Sequence, residues 1–186
     1  MERRDVDDWE TRERKKPRKV SPRSLENAAL HYLRRYAATT TQLRRVLIRR
    51  VDASLRVHGG DRREALSWID ALIEKLVRNG LLSDGAFAEM KARSLRASGR
   101  SARVIAEKLR LKGVPEELIQ QKLGEAVEEL SEDEAAHIWA RKRRLGPYRR
   151  IPETRAENRE RDLAALARAG FSWAVAKRVI DADVDA

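Results

Sequence analysis

Apolar residues recur at intervals of three and four along most of the chain, the period of helices buried on one face. The clearest stretch covers 80–113, GLLSDGAFAEMKARSLRASGRSARVIAEKLRLKG. Gly80 follows a helical run over 66–79 and suits a left-handed position just past a helix. Ser83 or Asp84 suits the cap of the next helix. Phe87, Met90, Ser94 and Ala97 then share one predicted face. Gly99 breaks that helix, Ser101 caps another, and Ile105 and Leu109 lie four apart on its inner side. Gly113 closes it. Pro115 suits the first position of a further helix, where its missing N–H costs nothing. The pattern predicts helices over about 84–98, 101–112 and 115–129, the last packing Leu118, Ile119, Leu123 and Val127.

The flanking segments carry the same punctuation. Before this stretch, Leu25, Ala29, Tyr32, Leu33 and Tyr36 form a face behind a Ser24 cap. Residues 39–41 recap the chain, and Leu43, Leu47 and Val51 follow at intervals of four. Asp61 with Glu64 is a capping-box pattern ahead of Leu66, Ile69, Ile73 and Leu76. After the central stretch, Ser131 with Glu134 opens a helix holding Ala135, Ile138 and Trp139, which Gly146 and Pro147 end. Helices over about 155–169, with Leu163 and Leu166, and 171–181, with Val175, Val179 and Ile180, complete the chain. Alternating β-branched runs are almost absent. The expected fold is all-α: three tandem three-helix repeats in an elongated array, which curves if the units rotate against one another. The expected division is 1–23, a disordered charged tail; 24–82, repeat one; 83–130, repeat two; and 131–186, repeat three. The segment 109–114 matches 166–171, with a leucine four residues before a glycine and an apolar residue after it. The first repeat matches less well: Leu43 and Ile48 align with Val104 and Leu109, and no glycine follows.

Charge changes the picture next. The 186 residues carry a net charge of +11, 38% are charged and only 5% are aromatic. An excess of that size favours polyanions, nucleic acid first. Six of the ten residues 141–150 are Arg or Lys and none is acidic. Arg93, Arg96, Arg100, Arg103, Lys108, Arg110 and Lys112 cluster in the central unit. From these we single out Arg93, Arg96, Arg100, Arg103, Lys108, Arg141, Arg143 and Arg144 as candidate nucleic-acid or filament contacts, because the guanidinium fork suits phosphate and carboxylate. The tail adds Arg12, Arg14, Lys15, Lys16, Arg18 and Lys19. An acidic zone runs from Glu116 to Glu134, part helix-start carboxylate and part predicted solvated face.

Other chemistry finds no foothold. There is no cysteine, hence no disulfide and no thiolate metal site. His31, His58 and His137 lie far apart without metal-ligand spacing, and Gly59 and Gly60 lack the lysine of a phosphate loop. No catalytic set, cofactor or metal is expected. No apolar run suggests a membrane span and no secretory leader is evident, so the expected location is the cytoplasm. A helix-turn-helix reading places the helix after Gly113 in a DNA groove, but that helix begins Pro115, Glu116, Glu117, two carboxylates at the end that meets phosphates. A modular array along a larger polymer fits better.

The central unit also resembles the RecX family. The residues that carry the resemblance are Gly80, Leu82, Asp84, Phe87, Ala88, Gly99, Arg103, Ile105, Leu109, Lys112, Gly113 and Val114, supported by Gly170, Phe171, Ser172, Val179 and Ile180 near the end and Ala29, Leu30, Leu33 and Leu43 near the start. The chain departs from the pattern at 37–39, at Arg50 and Val51, and at Ser83. The resemblance implies tandem three-helix units and a monomeric, non-catalytic modulator, most often an inhibitor, of the RecA recombinase. Its implied partners are the RecA filament and the single-stranded DNA within it. The alternative is a general basic helical DNA-binding protein without a filament partner.

Overall fold

The structure, a computed structural model, describes residues 17–183. Among them every regular element is helical: α1 (Pro22–Leu33), α2 (Thr40–His58), α3 (Arg62–Arg78), α4 (Asp84–Ala97), α5 (Ala102–Leu111), α6 (Glu116–Glu129), α7 (Glu132–Arg143), α8 (Arg155–Arg168) and α9 (Trp173–Ile180). Two short 3-10 turns, Gly146–Tyr148 and Pro152–Thr154, lie in the α7–α8 connection. The all-α expectation holds. No helix among the described residues is long and apolar enough to cross a membrane.

Among the described residues there are three separate hydrophobic clusters rather than one core. Leu25, Leu43, Leu47, Ile69 and Leu76 join α1, α2 and α3. Phe87, Ile105, Leu109, Ile119 and Leu123 join α4, α5 and α6. Ala136, Leu163, Leu166, Val175 and Val179 join α7, α8 and α9. Each group of three helices therefore buries its own stripe.

Three local expectations shift. Ser21, not Ser24, caps α1, and Pro22 takes the first helical position. The two serines complete a reciprocal box, with each hydroxyl accepting from the other's backbone N–H at 3.3 and 2.9 Å. Val20 just before them is buried in the first cluster, and its N–H donates to Ser54 Oγ at 3.0 Å. Residues 17–23, read from composition as tail, thus carry the start of the first group. Residues 1–16, with the basic residues Arg12, Arg14, Lys15 and Lys16, lie outside the described residues.

In α4 the buried stripe is Phe87, Ala88, Ala92 and Arg96, whereas Met90 is 49% exposed and Ser94 and Ala97 are exposed. Alanines at 88 and 92 let α4 lie close against α6. Close approach here outweighs the larger apolar side chain of Met90. The third shift is at the end of α7, which stops at Arg143, with Arg144 in the left-handed region at φ 56° and ψ 50°, before Gly146 is reached.

The three groups are held together by one joint, used twice. Thr39 caps α2 by accepting from Gln42 N–H at 3.1 Å. Its hydroxyl donates to Lys112 O at 2.6 Å, at the end of α5 in the next group. Ser101 caps α5 by accepting from Val104 N–H at 3.4 Å, and donates to Ala169 O at 2.8 Å, at the end of α8. Thr39 and Ser101 are both 0% exposed. A second pair of bonds repeats beside the first. Thr40 N–H donates to Asp84 at 2.7 Å, and Ala102 N–H donates to Glu132 at 2.7 Å. Each acceptor is the first residue of the next group's first helix.

The joint places α2, α5 and α8 head to tail. The positive amino end of one helix meets the negative carboxyl end of the next, so their dipoles align in series. Each carboxyl end closes on a glycine that the contact requires. A Cβ on Gly113 (φ 79°) would lie 2.5 Å from Thr41 Cβ, and one on Gly170 (φ 93°) would lie 2.4 Å from Ser101 Oγ.

This geometry also corrects the repeat alignment by one residue. With Thr39 matched to Ser101, Leu43 corresponds to Ile105 and Leu47 to Leu109, all four buried. The counterpart of Gly113 is then Val51, so α2 does not turn there but continues to His58. The far end of α2 is covered by the entering chain: Val20 bonds to Ser54, and Pro17 O lies 2.6 Å from His58 Nε2.

Removing the joint hydroxyl with Ser101→Ala or Thr39→Val leaves a buried carbonyl short of a donor and a helix short of a cap. Each should cost about 1–3 kcal/mol in urea unfolding. Gly124, inside α6 with nothing within 4 Å of a built Cβ, gives the contrast. Gly124→Ala should stabilise by about 1 kcal/mol, whereas Gly170→Ala should destabilise.

The third group should also be acid-sensitive. The Arg178 guanidinium on α9 hydrogen-bonds Asp133 on α7 and holds its carboxyl below the usual range, and Arg159 does the same for Asp181. A depressed folded pKa gives stability that is present above the unfolded value and lost as pH falls through the folded one. The stability gap between the parent and Asp133→Asn/Asp181→Asn should close as unfolding is measured at pH values falling below 3.8.

Candidate polyanion-binding face

The acidic zone between 116 and 134 is largely consumed by local bonds. Glu116 pairs with Arg110, Glu125 with Lys122, Glu129 with Arg93 and Asp133 with Arg178. Glu134 closes the Ser131 capping box. Glu132 receives Ala102 N–H. Among the described residues, the arginines and lysines that stay free of carboxylates lie mainly along α2, α5 and α8 and in the α7–α8 connection.

The structure separates the eight sequence-selected cations. Arg96 is only 1% exposed: its Nε donates to Leu130 O at 2.7 Å and its Nη1 to Arg100 O at 3.1 Å, with Glu132 3.2 Å away. It therefore joins the second group to the third and is not a surface contact. That is a correction, and its physical cause is the stripe of small residues on α4, which leaves room for a long side chain to run inward. Arg93 is tied to Glu129 and Glu89, and its hydrogen bond to Glu129 raises its pKa further. It is exposed but already neutralised.

Arg100 and Arg143 come together on one indole. Their guanidinium carbons lie 4.5 and 4.9 Å from the Trp139 ring centre. Arg141 stacks at 5.1 Å on Tyr148, whose hydroxyl lies 2.8 Å from His137 Nδ1. Arg144 sits at the left-handed end of α7, beside the same cleft as Arg143. Arg103 and Lys108 are exposed on α5, Arg103 lying beside Gly170 at the joint.

Two clefts gather other cations, one of them together with Arg143 and Arg144, whereas Arg100, Arg103, Lys108 and Arg141 line neither. One, of about 490 Å³, lies against α8 and is lined by Trp139, Arg143, Arg144, Arg149, Arg161 and Arg168, with Asp162 at its base. Asp162 is 1% exposed and fully engaged: it accepts from Gly146 N–H at 2.7 Å and from both Nε and Nη2 of Arg149 at 2.8 and 2.6 Å. Those bonds raise the Arg149 pKa, and the other four guanidinium groups have no carboxylate partner among the described residues. The second cleft, of about 460 Å³, lies where α2 meets the end of α5 and is lined by Tyr32, Gln42, Arg45, Arg49, Leu111 and Lys112. Leu111 is 70% exposed there.

The sequence reading passed over Arg45, Arg49, Arg149, Arg161 and Arg168 as contacts. The repeat register was the signal that could have found them. With Gly170 matched to Gly113 and Val51, Arg161 and Arg168 correspond to Gln42 and Arg49, so the two clefts are formed by the same face of α8 and α2.

This arrangement can bind and orient anions. Among the described residues no group of three or more His, Asp or Glu is placed to hold a metal ion. The helix-turn-helix alternative fares no better in three dimensions, because Glu116 at the start of α6 is fixed on Arg110 at 2.9 Å and Glu117 is exposed beside it.

Comparison with known proteins agrees with the fold. The family profile "RecX, second three-helix domain" matches residues 83–123. Regulatory protein RecX of Myxococcus xanthus is 69% identical over 169 residues, covering 91% of this chain and 90% of that protein. Regulatory protein RecX of Agrobacterium fabrum is 34% identical over 154 residues, covering 83% of this chain and 80% of that protein. No solved structure gives a significant match. With three helical groups joined in series, the matching second domain and full-length relatives, this chain belongs to the RecX family of regulatory proteins.

Proposed function

We propose that this protein is a non-catalytic modulator, in the inhibitory sense, of the RecA recombinase. It acts as a monomer in the cytoplasm. It lies along the RecA–single-stranded DNA filament and restrains ATP hydrolysis, strand exchange and coprotease activity. The observation that carries this reading is the head-to-tail row of α2, α5 and α8, with cations free of carboxylates along it. A row of repeated units suits a partner that is itself repetitive, because each unit can meet an equivalent neighbour on the polymer. The resemblance to RecX supplies RecA as that polymer.

We read the three helical groups as tandem repeats, with the first beginning near Val20. Arg100, Arg103, Arg143 and Arg144 provide contacts to filament subunits or to their DNA. Spanning adjacent subunits restricts the relative motions that nucleotide turnover needs. The joint hydrogen bonds make such bridging effective, since a loose chain would follow those motions instead of resisting them.

The test is single-stranded-DNA-dependent ATP hydrolysis by RecA with this protein titrated in. Inhibition is expected at concentrations well below those that coat the bare DNA in the same buffer. Arg100→Glu/Arg103→Glu should raise the half-inhibitory concentration about tenfold or more at moderate salt, because two charge-assisted hydrogen-bonding groups are removed. No effect on hydrolysis, together with salt-sensitive binding to DNA alone, would leave the general DNA-binding reading.

A further inference from the structure

The cleft against α8 holds more than its share of the charge. Arg143, Arg144, Arg161 and Arg168 line it, and none has a carboxylate partner among the described residues. The one acidic side chain in its wall, Asp162, is buried and engaged by Arg149 and Gly146 N–H. Four guanidinium groups gathered without counter-charge repel one another, and a bound anion lowers that repulsion.

The cleft is also organised in advance. Arg143 is stacked on Trp139, with Arg100 of the preceding group against the same ring. Stacking fixes the plane of a guanidinium while leaving its N–H fork free to donate. Arg161 and Arg168 are seven residues apart on α8, which puts them on one face, about 10 Å apart along the axis. Arg149, locked on Asp162, braces the loop that carries Arg144 and Leu145 against that face.

We infer that this cleft is a phosphate-binding site, taking either successive phosphodiesters of a nucleic-acid strand or the phosphates of a free nucleotide. The guanidinium forks supply bidentate hydrogen bonds to the phosphate oxygens. The site needs no recombinase, so it is tested without one, and its failure leaves the filament reading to its own assay.

The experiment is fluorescence anisotropy of the full chain with a labelled 20-mer of oligothymidylate, repeated across a salt series. ATP and inorganic pyrophosphate serve as competitors. Arg161→Gln/Arg168→Gln should weaken binding tenfold or more. It should also flatten the log–log salt dependence by about 0.7 for each phosphate that the variant no longer neutralises. Arg161→Lys/Arg168→Lys, which keeps the charge but not the fork, should recover part of the affinity and most of the slope. The control with equal charge removal is Arg23→Gln/Arg63→Gln, exposed residues outside both clefts. It should change affinity less than twofold. Circular dichroism melts verify that every variant is folded. Competition by ATP and pyrophosphate that disappears in the Arg161/Arg168 variant would identify free phosphates as ligands. Oligothymidylate binding that resists both competitors would identify the nucleic-acid backbone. Equal weakening by the cleft and control pairs, or unchanged binding in the cleft pair, would overturn the proposal.

Discussion

The hydroxyl at the start of α2, and its counterpart at the start of α5, hold this molecule in line. Each oxygen accepts from its own helix and donates its proton to a carbonyl at the end of the next group's middle helix. A helix start has unpaired backbone donors and a helix end has unpaired acceptors, so one small side chain satisfies part of both. The neighbouring carboxylate, Asp84 or Glu132, takes the adjacent N–H and sits at the positive end of two helices at once. The whole contact relies on close approach, which is why a glycine stands at each receiving end. Without it the three small cores would be three marginal domains on a string.

The second joint differs from the first, which has two further hydroxyl bonds of its own, Thr40 Oγ1 to Asp84 at 2.8 Å and Thr41 Oγ1 to Gly113 O at 3.2 Å. The second repeats the cap-hydroxyl and backbone-to-carboxylate bonds, then adds buried Arg96, which reaches Leu130 O from α4. It also has Lys142 Nζ on Ser98 O at 3.0 Å, and Trp139 against the turn at Gly99. Burying a guanidinium is costly: among the described residues its Nη2 has no hydrogen-bond partner, and its Nη1 meets Glu132 Oε2 as an ion pair at 3.2 Å without a hydrogen bond. Breaking such an arrangement is costlier still, because it strands the remaining partner. The second and third groups therefore share a buried guanidinium that the first joint lacks, and the cation-lined cleft against α8 is built on that side.

Charge follows the same division between joint and surface. The net excess of +11 belongs to the whole sequence, but among the described residues most acidic side chains are paired locally across or within groups. The unpaired remainder collects along the second helices and near the end of α7. The row of joined helices and the sign of its surface are thus set by the same ion pairs and hydrogen bonds.

Much of this was legible in the sequence. Helix number, most helix ends and the three-group order follow from local rules, since glycine past a helix, serine or threonine before one and a 3.6-residue stripe act within a few residues. Which stripe of α4 turns inward did not follow, because the choice between Met90 and the alanines at 88 and 92 is made by how near α6 comes. Nor did the role of Arg96, which reads as one more surface cation until the chain folds the start of α7 over it. The repeat register slipped by one residue because apolar spacing tolerates that slip, whereas a hydroxyl bonded to a carbonyl in the next group does not. The gathering of Arg143, Arg144, Arg161 and Arg168 into one cleft was decided by packing alone: residues on two helices, up to 25 positions apart, share a surface only when α7 and α8 close on Leu163 and Leu166. Local chemistry fixed the helices, and contacts between helices decided which charges face outward together.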